Sequence, residues 1–313
     1  MQYMLKFEQN YPLSKITTLQ IGGPAQQFVT VSSQEELIET IAWAKTNSLP
    51  FLVVGGGSNL LVADQGVDKI IIKNEIEGIS KFVRFLKVKS GTPLQHLVDY
   101  SIAQNLSGLQ KLTGIPGSLG GAVFGNAGAY GQTISDYIRE VVCFTGSEII
   151  TLQKDECEFD YRDSIFKRNG YIILEIVFKL DVGEAKKLRK EADETLAKRL
   201  IKYPKGIKCP GSFFKNLLAD KLSKEILSKI PKEAIVYGKL PAGTLLELVG
   251  AKGDQLGQIE IASYHGNLFI NKGSGNAADF YLLAKKYANK VKEKFGITLS
   301  PEVQLINLPP LFP

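Results

Sequence analysis

The stretch Gly114-Ile-Pro-Gly-Ser-Leu-Gly-Gly-Ala-Val-Phe-Gly-Asn-Ala-Gly-Ala-Tyr-Gly131 decides how the rest of the chain is read. Its neighbourhood, residues 108–131, holds 8 of the 30 glycines. Glycine at that density removes Cβ atoms and permits positive φ, so a ligand can lie directly against backbone N–H groups. Ile115, Leu119, Val123 and Phe124 are too apolar for a flexible linker. Ser118, Asn126 and Tyr130 read as polar handles rather than core.

A second glycine-rich stretch, Gly55-Gly-Gly-Ser-Asn59, follows the apolar run Phe51–Val54. Neither stretch is a Gly-x-Gly-x-x-Gly opening a long helix, and neither carries Gly-Lys-Ser/Thr, so both a Rossmann fingerprint and a P-loop are absent. Both nevertheless cluster backbone donors, which is what cradling a pyrophosphate requires. Two helix-free loops of this kind point to a large dinucleotide wrapped by both. Taken alone, the first also reads as a tight structural turn.

Outward from these loops, 313 residues suffice for a sizeable core and more than one domain. A hydrophobic content of 44% and a mean hydropathy of −0.01 fit a globular protein. No apolar run approaches the roughly 20 residues that span a bilayer. The start, Met1-Gln-Tyr-Met-Leu-Lys-Phe-Glu8, lacks a signal peptide's apolar region, which gives a cytoplasmic expectation. Three cysteines, Cys143, Cys157 and Cys209, lack metal-ligand spacing and read as reduced structural thiols. With only His96 and His265, no metal site is expected. The net charge of +6 is scattered, and it suits a polyanionic small substrate as well as nucleic acid.

Ser33-Gln-Glu-Glu36 spells a capping box ahead of the stripe Leu37, Ile38, Ile41, Ala42, Ala44. Thr92-Pro-Leu-Gln95 reads as a second helix start, with Leu94, Leu97, Val98 and Ile102 as its buried face. Strands are expected at 70–73, 83–88, 141–144, 149–152 and 171–180. A charged helix follows Gly183 and ends before Pro204, its lysines 186–190 forming a solvated face. Beyond it, 217–230 and 244–249 read as helices, and 259–262 and 268–271 as strands. The last helix, Ala277–Phe295, carries Phe280, Leu283, Ala284, Tyr287 and Val291 at spacings of three and four and closes on Gly296. The proline-rich tail, 308–313, is expected to fray.

Three further segments carry reactive side chains. In Tyr161-Arg-Asp-Ser164, Arg162 could fork onto a carboxylate or phosphate, or pair with Asp160 or Asp163 on the surface. In Pro210-Gly-Ser-Phe-Phe-Lys-Asn216, Ser212 reads as a hydroxyl proton donor or a plain turn serine; no partner histidine motif makes it a hydrolase nucleophile. In Ser300-Pro-Glu-Val303, Glu302 is also what an ordinary strand start looks like.

These segments, in this order and with Ala242-Gly-Thr-Leu-Leu-Glu247, Gly250-Ala-Lys-Gly253 and Asn267-Leu-Phe-Ile-Asn271 before the last, resemble the UDP-N-acetylenolpyruvoylglucosamine reductase (MurB) family of peptidoglycan precursor synthesis. The resemblance runs from about Ile21 to Val303. It implies an α+β protein: a vanillyl-alcohol-oxidase-type (PCMH-like) FAD-binding fold in two subdomains, 1–73 and 74–183, and a C-terminal α+β substrate domain, 184–313. It implies an oxidoreductase with non-covalent FAD and with NADPH as co-substrate. The substrate is a UDP-sugar enolpyruvyl ether, and no nucleic-acid or membrane partner is expected.

The matching positions make Val54, Gly55, Gly56, Gly57, Ser58, Asn59, Leu60 and Leu61 candidate FAD contacts. So do Gly114, Ile115, Pro116, Gly117, Ser118, Gly120, Gly121, Asn126, Ala127, Gly128 and Ala129. Ser212 is implied as proton donor, with Arg162 and Glu302 on the substrate carboxylate. Tyr130, Lys215 and Asn216 are implied near the substrate. The chain departs from the family pattern at Thr17-Thr18 and at Tyr264-His-Gly-Asn267. The interval 167–204 is short for the tyrosine-bearing loop of longer members.

Overall fold

A capping box opens the first long helix of this computed structural model, which describes residues 6–312. The Ser33 side chain accepts from the Glu36 N–H at 3.1 Å, and Glu36 reaches back to the Ser33 N–H at 3.3 Å, as its sequence predicts. Met1–Leu5, part of the start read for a leader, and Pro313 lie outside the described residues.

The chain forms two compact units. The first comprises Met1–Tyr11, Ala25–Gly56 and Asp68–Pro204. Its first sheet has four strands, in the order Glu8–Pro12, Pro24–Val31, Val67–Asn74, Phe51–Val54. The last two run parallel, Phe51 opposite Ile70 and Val54 opposite Lys73. Helix Gln34–Thr46 lays Leu37, Ile41 and Ala44 onto Val29, Val31, Ile70 and Ile72.

The second sheet of this unit is antiparallel: Ile149–Gln153, Ile138–Phe144, Ile172–Lys179, Phe85–Lys89, Ile79–Phe82. Val141 faces Ile176, which faces Val88, and all three are fully buried. Leu94, Leu97, Val98 and Ile102 from helix Leu94–Ala103 complete that core, as does Leu188 from helix Ala185–Lys202. Each such side chain contributes about 1.5–3 kcal/mol by leaving water.

The second unit comprises Pro12–Pro24, Gly57–Val67 and Lys205–Pro313. Helix Ala277–Phe295 buries Phe280, Leu283, Ala284, Tyr287 and Val291, the expected stripe, and Gly296 takes φ 72° at its C-terminus. Phe280 packs against Phe213 and Phe269, with ring centroids 5.1 Å apart in both pairs. The Asp64 carboxylate accepts from the Ala277 and Ala278 N–H groups at 2.7 and 2.9 Å, placing negative charge at the positive end of the helix dipole. Gln304–Ile306 pairs in parallel with Leu60–Val62, and Gln255–Leu256, Ile259–Ile261 and Phe269–Asn271 make a three-stranded sheet.

Six local expectations are corrected. The second glycine-rich loop is not free of helix: Leu119–Phe124 forms a six-residue helix with Ser118 at its N-cap. Ser118 and Asn126 are buried, so of the three polar handles only Tyr130 is exposed. The run 83–88 is not one strand. Val83 sits exposed at φ 53° in the turn between Ile79–Phe82 and Phe85–Lys89. Thr92 does not cap its helix; Pro93 holds that position, and the Thr92 hydroxyl accepts from the Gly78 N–H instead. Residues 217–230 hold a two-residue strand and two short helical pieces rather than one helix. The described tail does not fray: Leu311 is buried, and the Pro310 carbonyl accepts from Tyr281.

Candidate active site

In the first unit the two glycine-rich turns meet. A Cβ on Gly55 would overlap the Ser118 hydroxyl, and one on Gly56 would stand 2.6 Å from the Gly117 Cα. Two backbones approach this closely only where both residues lack side chains. Val54 ends the strand that delivers the first turn, and Ile115 and Pro116 lead into the second. The Gly120 N–H donates to the Ser90 carbonyl at 2.7 Å and the Gly121 N–H to Ser118 Oγ at 3.5 Å, so these two amides are satisfied internally.

Arg162, in the turn between Asp160 and Asp163, reaches the second glycine-rich loop. Its Nη2 donates to the Gly128 carbonyl at 2.8 Å and its Nη1 to the Asn126 carbonyl at 3.4 Å. Asn126 returns a bond from Nδ2 to the Asp160 carbonyl at 2.8 Å, and buried Ser164 donates to Phe124 at 2.7 Å. Arg162, Asn126 and Tyr130 all take positive φ, at 55°, 41° and 52°. Non-glycine residues held there mark over-determined backbone. The Lys167 ammonium, five residues on, donates to the Arg162 carbonyl at 2.7 Å and helps hold that conformation. Tyr130 forms the tip of the hairpin between Gly128–Ala129 and Gln132–Thr133. Arg168 bridges the neighbouring Asp163 and Glu158 on the surface.

In the second unit, Ser212 and Glu302 are brought to neighbouring strands. Ser212 bridges Leu268, Phe214 bridges Pro301, and the Glu302 N–H donates to the Phe213 carbonyl at 2.7 Å. Phe213 and Phe214 are fully buried and anchor the serine's turn. Asn59 joins the same constellation: its Nδ2 donates to the Glu302 carbonyl at 3.0 Å, and its carbonyl accepts from the Gln304 N–H at 2.9 Å. Leu60 and Leu61 continue alongside Gln304 and Leu305. Gly57 takes φ 62°, and a Cβ there would collide with the Ile16 carbonyl. The Lys215 N–H donates to Ser300 at 2.9 Å, and Asn216 Oδ1 accepts from the Ala242 N–H at 3.1 Å at the start of helix Ala242–Leu248. Ser58, between Gly57 and Asn59, is half-buried.

Three supporting residues were not given roles from the sequence. Asn267 and Asp64 act on partners far away in the chain, and Lys167 acts on a backbone carbonyl, which no spacing encodes. Among the described residues no cluster of His, Cys, Asp or Glu could hold a metal ion. No helix of the described residues is long and apolar enough to cross a membrane.

The residues present fit a flavin dinucleotide. Gly56 is exposed and Gly117 half-buried where the two turns touch, and Asn126 Oδ1 is buried with no partner, an acceptor awaiting a donor. Residues 25–151 match the FAD binding domain family, and residues 203–306 match the C-terminal domain of UDP-N-acetylenolpyruvoylglucosamine reductase. The reductase of that name from Solibacter usitatus is 38% identical over 94% of this chain and 95% of its own. The one from Clostridium botulinum strain Alaska E43 is 34% identical over 96% and 93%. The crystal structure of the Thermus caldophilus enzyme superposes with a TM-score of 0.77 at 30% identity, covering 97% of this chain and 100% of that one. The α+β fold expected from the resemblance, a flavin-binding fold followed by a C-terminal domain, therefore stands, and FAD is the cofactor. This chain belongs to the UDP-N-acetylenolpyruvoylglucosamine reductase family.

Proposed function

We propose that this chain reduces the enolpyruvyl ether of UDP-N-acetylglucosamine enolpyruvate to UDP-N-acetylmuramate in the cytoplasm, with NADPH as reductant. Residues 1–73 and 74–183 act as the flavin-binding subdomains and 184–313 as the substrate domain. Bound FAD relays two electrons from the reductant to the substrate's double bond.

The chain's own groups answer the charge that this reduction creates. Negative charge grows on the carbon beside the reduced methylene and spreads into the carboxylate. Arg162 holds that carboxylate, because a guanidinium is planar, permanently charged and bidentate. Glu302 flanks the same carboxylate and helps to stabilise its enolate-like form. Ser212 delivers a proton to the carbon and completes the addition. Lys215, Asn216 and Tyr130 contact the sugar nucleotide. FAD contacts come from 54–61 and from the turns at 114–121 and 126–129.

The observation that best supports these roles is the Glu302 N–H to Phe213 carbonyl bond, which sets Glu302 and the proposed proton donor on paired backbone segments. Incubation with NADPH and the enolpyruvyl sugar nucleotide, followed by mass analysis, tests the reading. UDP-N-acetylmuramate formed with matched NADPH loss supports it. Oxygen consumption with an alcohol, and no turnover of the enolpyruvyl sugar, contradicts it in favour of another flavoenzyme.

A further inference from the structure

Arg199 lies in the last turn of helix Ala185–Lys202, with its Nε buried and without a hydrogen-bond partner. Its guanidinium sits over the Tyr203 ring, 5.4 Å from the centroid. No carboxylate among the described residues forms an ion pair with it. Its Cδ and Nε pack against Gly114, which takes φ 77°, and a Cβ there would stand 3.3 Å from each. Burial pushes its proton affinity down, and the charge of Arg162 acts in the same direction, opposed by Tyr203 and Tyr130.

An arginine stays charged under such pressure. A desolvated cation with a second cation for a neighbour is costly unless an anion arrives. Its stem packs on Gly114, where the second glycine-rich turn begins, and Arg162 and Tyr130 of the proposed substrate site act on its charge, so an anion brought by a ligand of this site would answer it.

We propose that Arg199 is a second anion-binding residue of this site, its guanidinium taking a carboxylate or phosphate oxyanion of the sugar nucleotide in company with Arg162. The proposal rests on the functional reading above and adds a residue that this reading does not use.

The test uses the FAD-loaded enzyme and calorimetric titration with two ligands. UDP-N-acetylmuramate carries both a carboxylate and a diphosphate; UDP-N-acetylglucosamine carries only the diphosphate. Arg199→Met keeps the packing stem and removes the charge, and Arg199→Lys keeps the charge without the fork. In Arg199→Met the affinity for UDP-N-acetylmuramate falls by about tenfold or more, the scale of a lost charge-assisted hydrogen bond. Arg199→Lys restores part of it, and FAD affinity and the melting temperature stay at wild-type values.

A loss confined to UDP-N-acetylmuramate assigns the oxyanion as the carboxylate, and an equal loss for both ligands assigns it as the diphosphate. Unchanged binding of both, or a defect confined to FAD retention, overturns the proposal. If Arg199→Met fails to fold, Arg199→Lys decides alone: weakened nucleotide binding with FAD retained supports it, and wild-type affinity overturns it. A wild-type enzyme that binds neither nucleotide overturns the functional reading itself, and this proposal with it.

Discussion

The side-chain amide of Asn267 closes a ring with the backbone of Phe214. Its Oδ1 accepts from the Phe214 N–H, and its Nδ2 donates to the Phe214 carbonyl, both at 2.8 Å and both buried. The amide thus imitates a strand partner at the turn that carries Ser212. Asn267→Ala leaves a buried donor and a buried acceptor unpaired, at a cost of about 2–4 kcal/mol. The expected result is a lower melting temperature together with a slower substrate half-reaction.

Ser212→Ala separates chemistry from folding. It removes a hydroxyl without touching the Asn267 ring, so its melting temperature should match wild type. Flavin reduction by NADPH should be nearly intact, while reoxidation by the enolpyruvyl substrate slows by about 10²–10⁴-fold, the usual contribution of a positioned proton donor. Stopped-flow measurement of each half-reaction checks this, and equal losses in both would remove Ser212 from its role.

The two adjacent glycines make unequal predictions. At Gly56 an added methyl meets the Gly117 backbone, which cannot yield cheaply; at Gly55 it meets the Ser118 hydroxyl, which can rotate away. Gly56→Ala should therefore purify with much less flavin than Gly55→Ala. The ratio of flavin to protein absorbance after gel filtration reads this directly.

Burial pushes the Cys143 thiol up to about 11 and the Cys157 thiol, which also feels Cys143 and Glu156, up to about 12. An exposed thiol titrates at about 8.5. Folding therefore holds both protonated beyond the point where the unfolded chain ionises. Their contribution to stability is intact below the unfolded value and declines as pH rises from there towards 11 and 12. In a Cys209→Ser background, a disulfide reagent at pH 8 should label the native protein slowly and the urea-unfolded protein quickly.

Local patterns were readable from sequence wherever one element settled its own structure. The stripe Phe280, Leu283, Tyr287, Val291 needs only helical spacing, and the Ser33–Glu36 box needs only four residues. Val83 was misread because an apolar residue in a two-residue turn leaves the β-like run around it unbroken. The 217–230 segment misled because its leucines and isoleucines keep helical spacing while backbone pairing with 239–240 claims its start. For the site, the glycine turns were legible as donor-rich backbone, and family resemblance supplied the roles of Arg162, Ser212 and Glu302. Asn267, Asp64 and Arg199 stayed hidden because their partners lie 53, 213 and 85 residues away in the chain.

The central claim is that one bound flavin takes electrons from NADPH and gives them to an enolpyruvyl sugar nucleotide. The most direct measurement is the absorption spectrum of the purified protein under anaerobic conditions, recorded before NADPH, after it, and after the sugar nucleotide. The account predicts an oxidised flavin band that NADPH bleaches and that one equivalent of substrate restores. A colourless protein, or a bleached band that the substrate leaves unchanged, would contradict it.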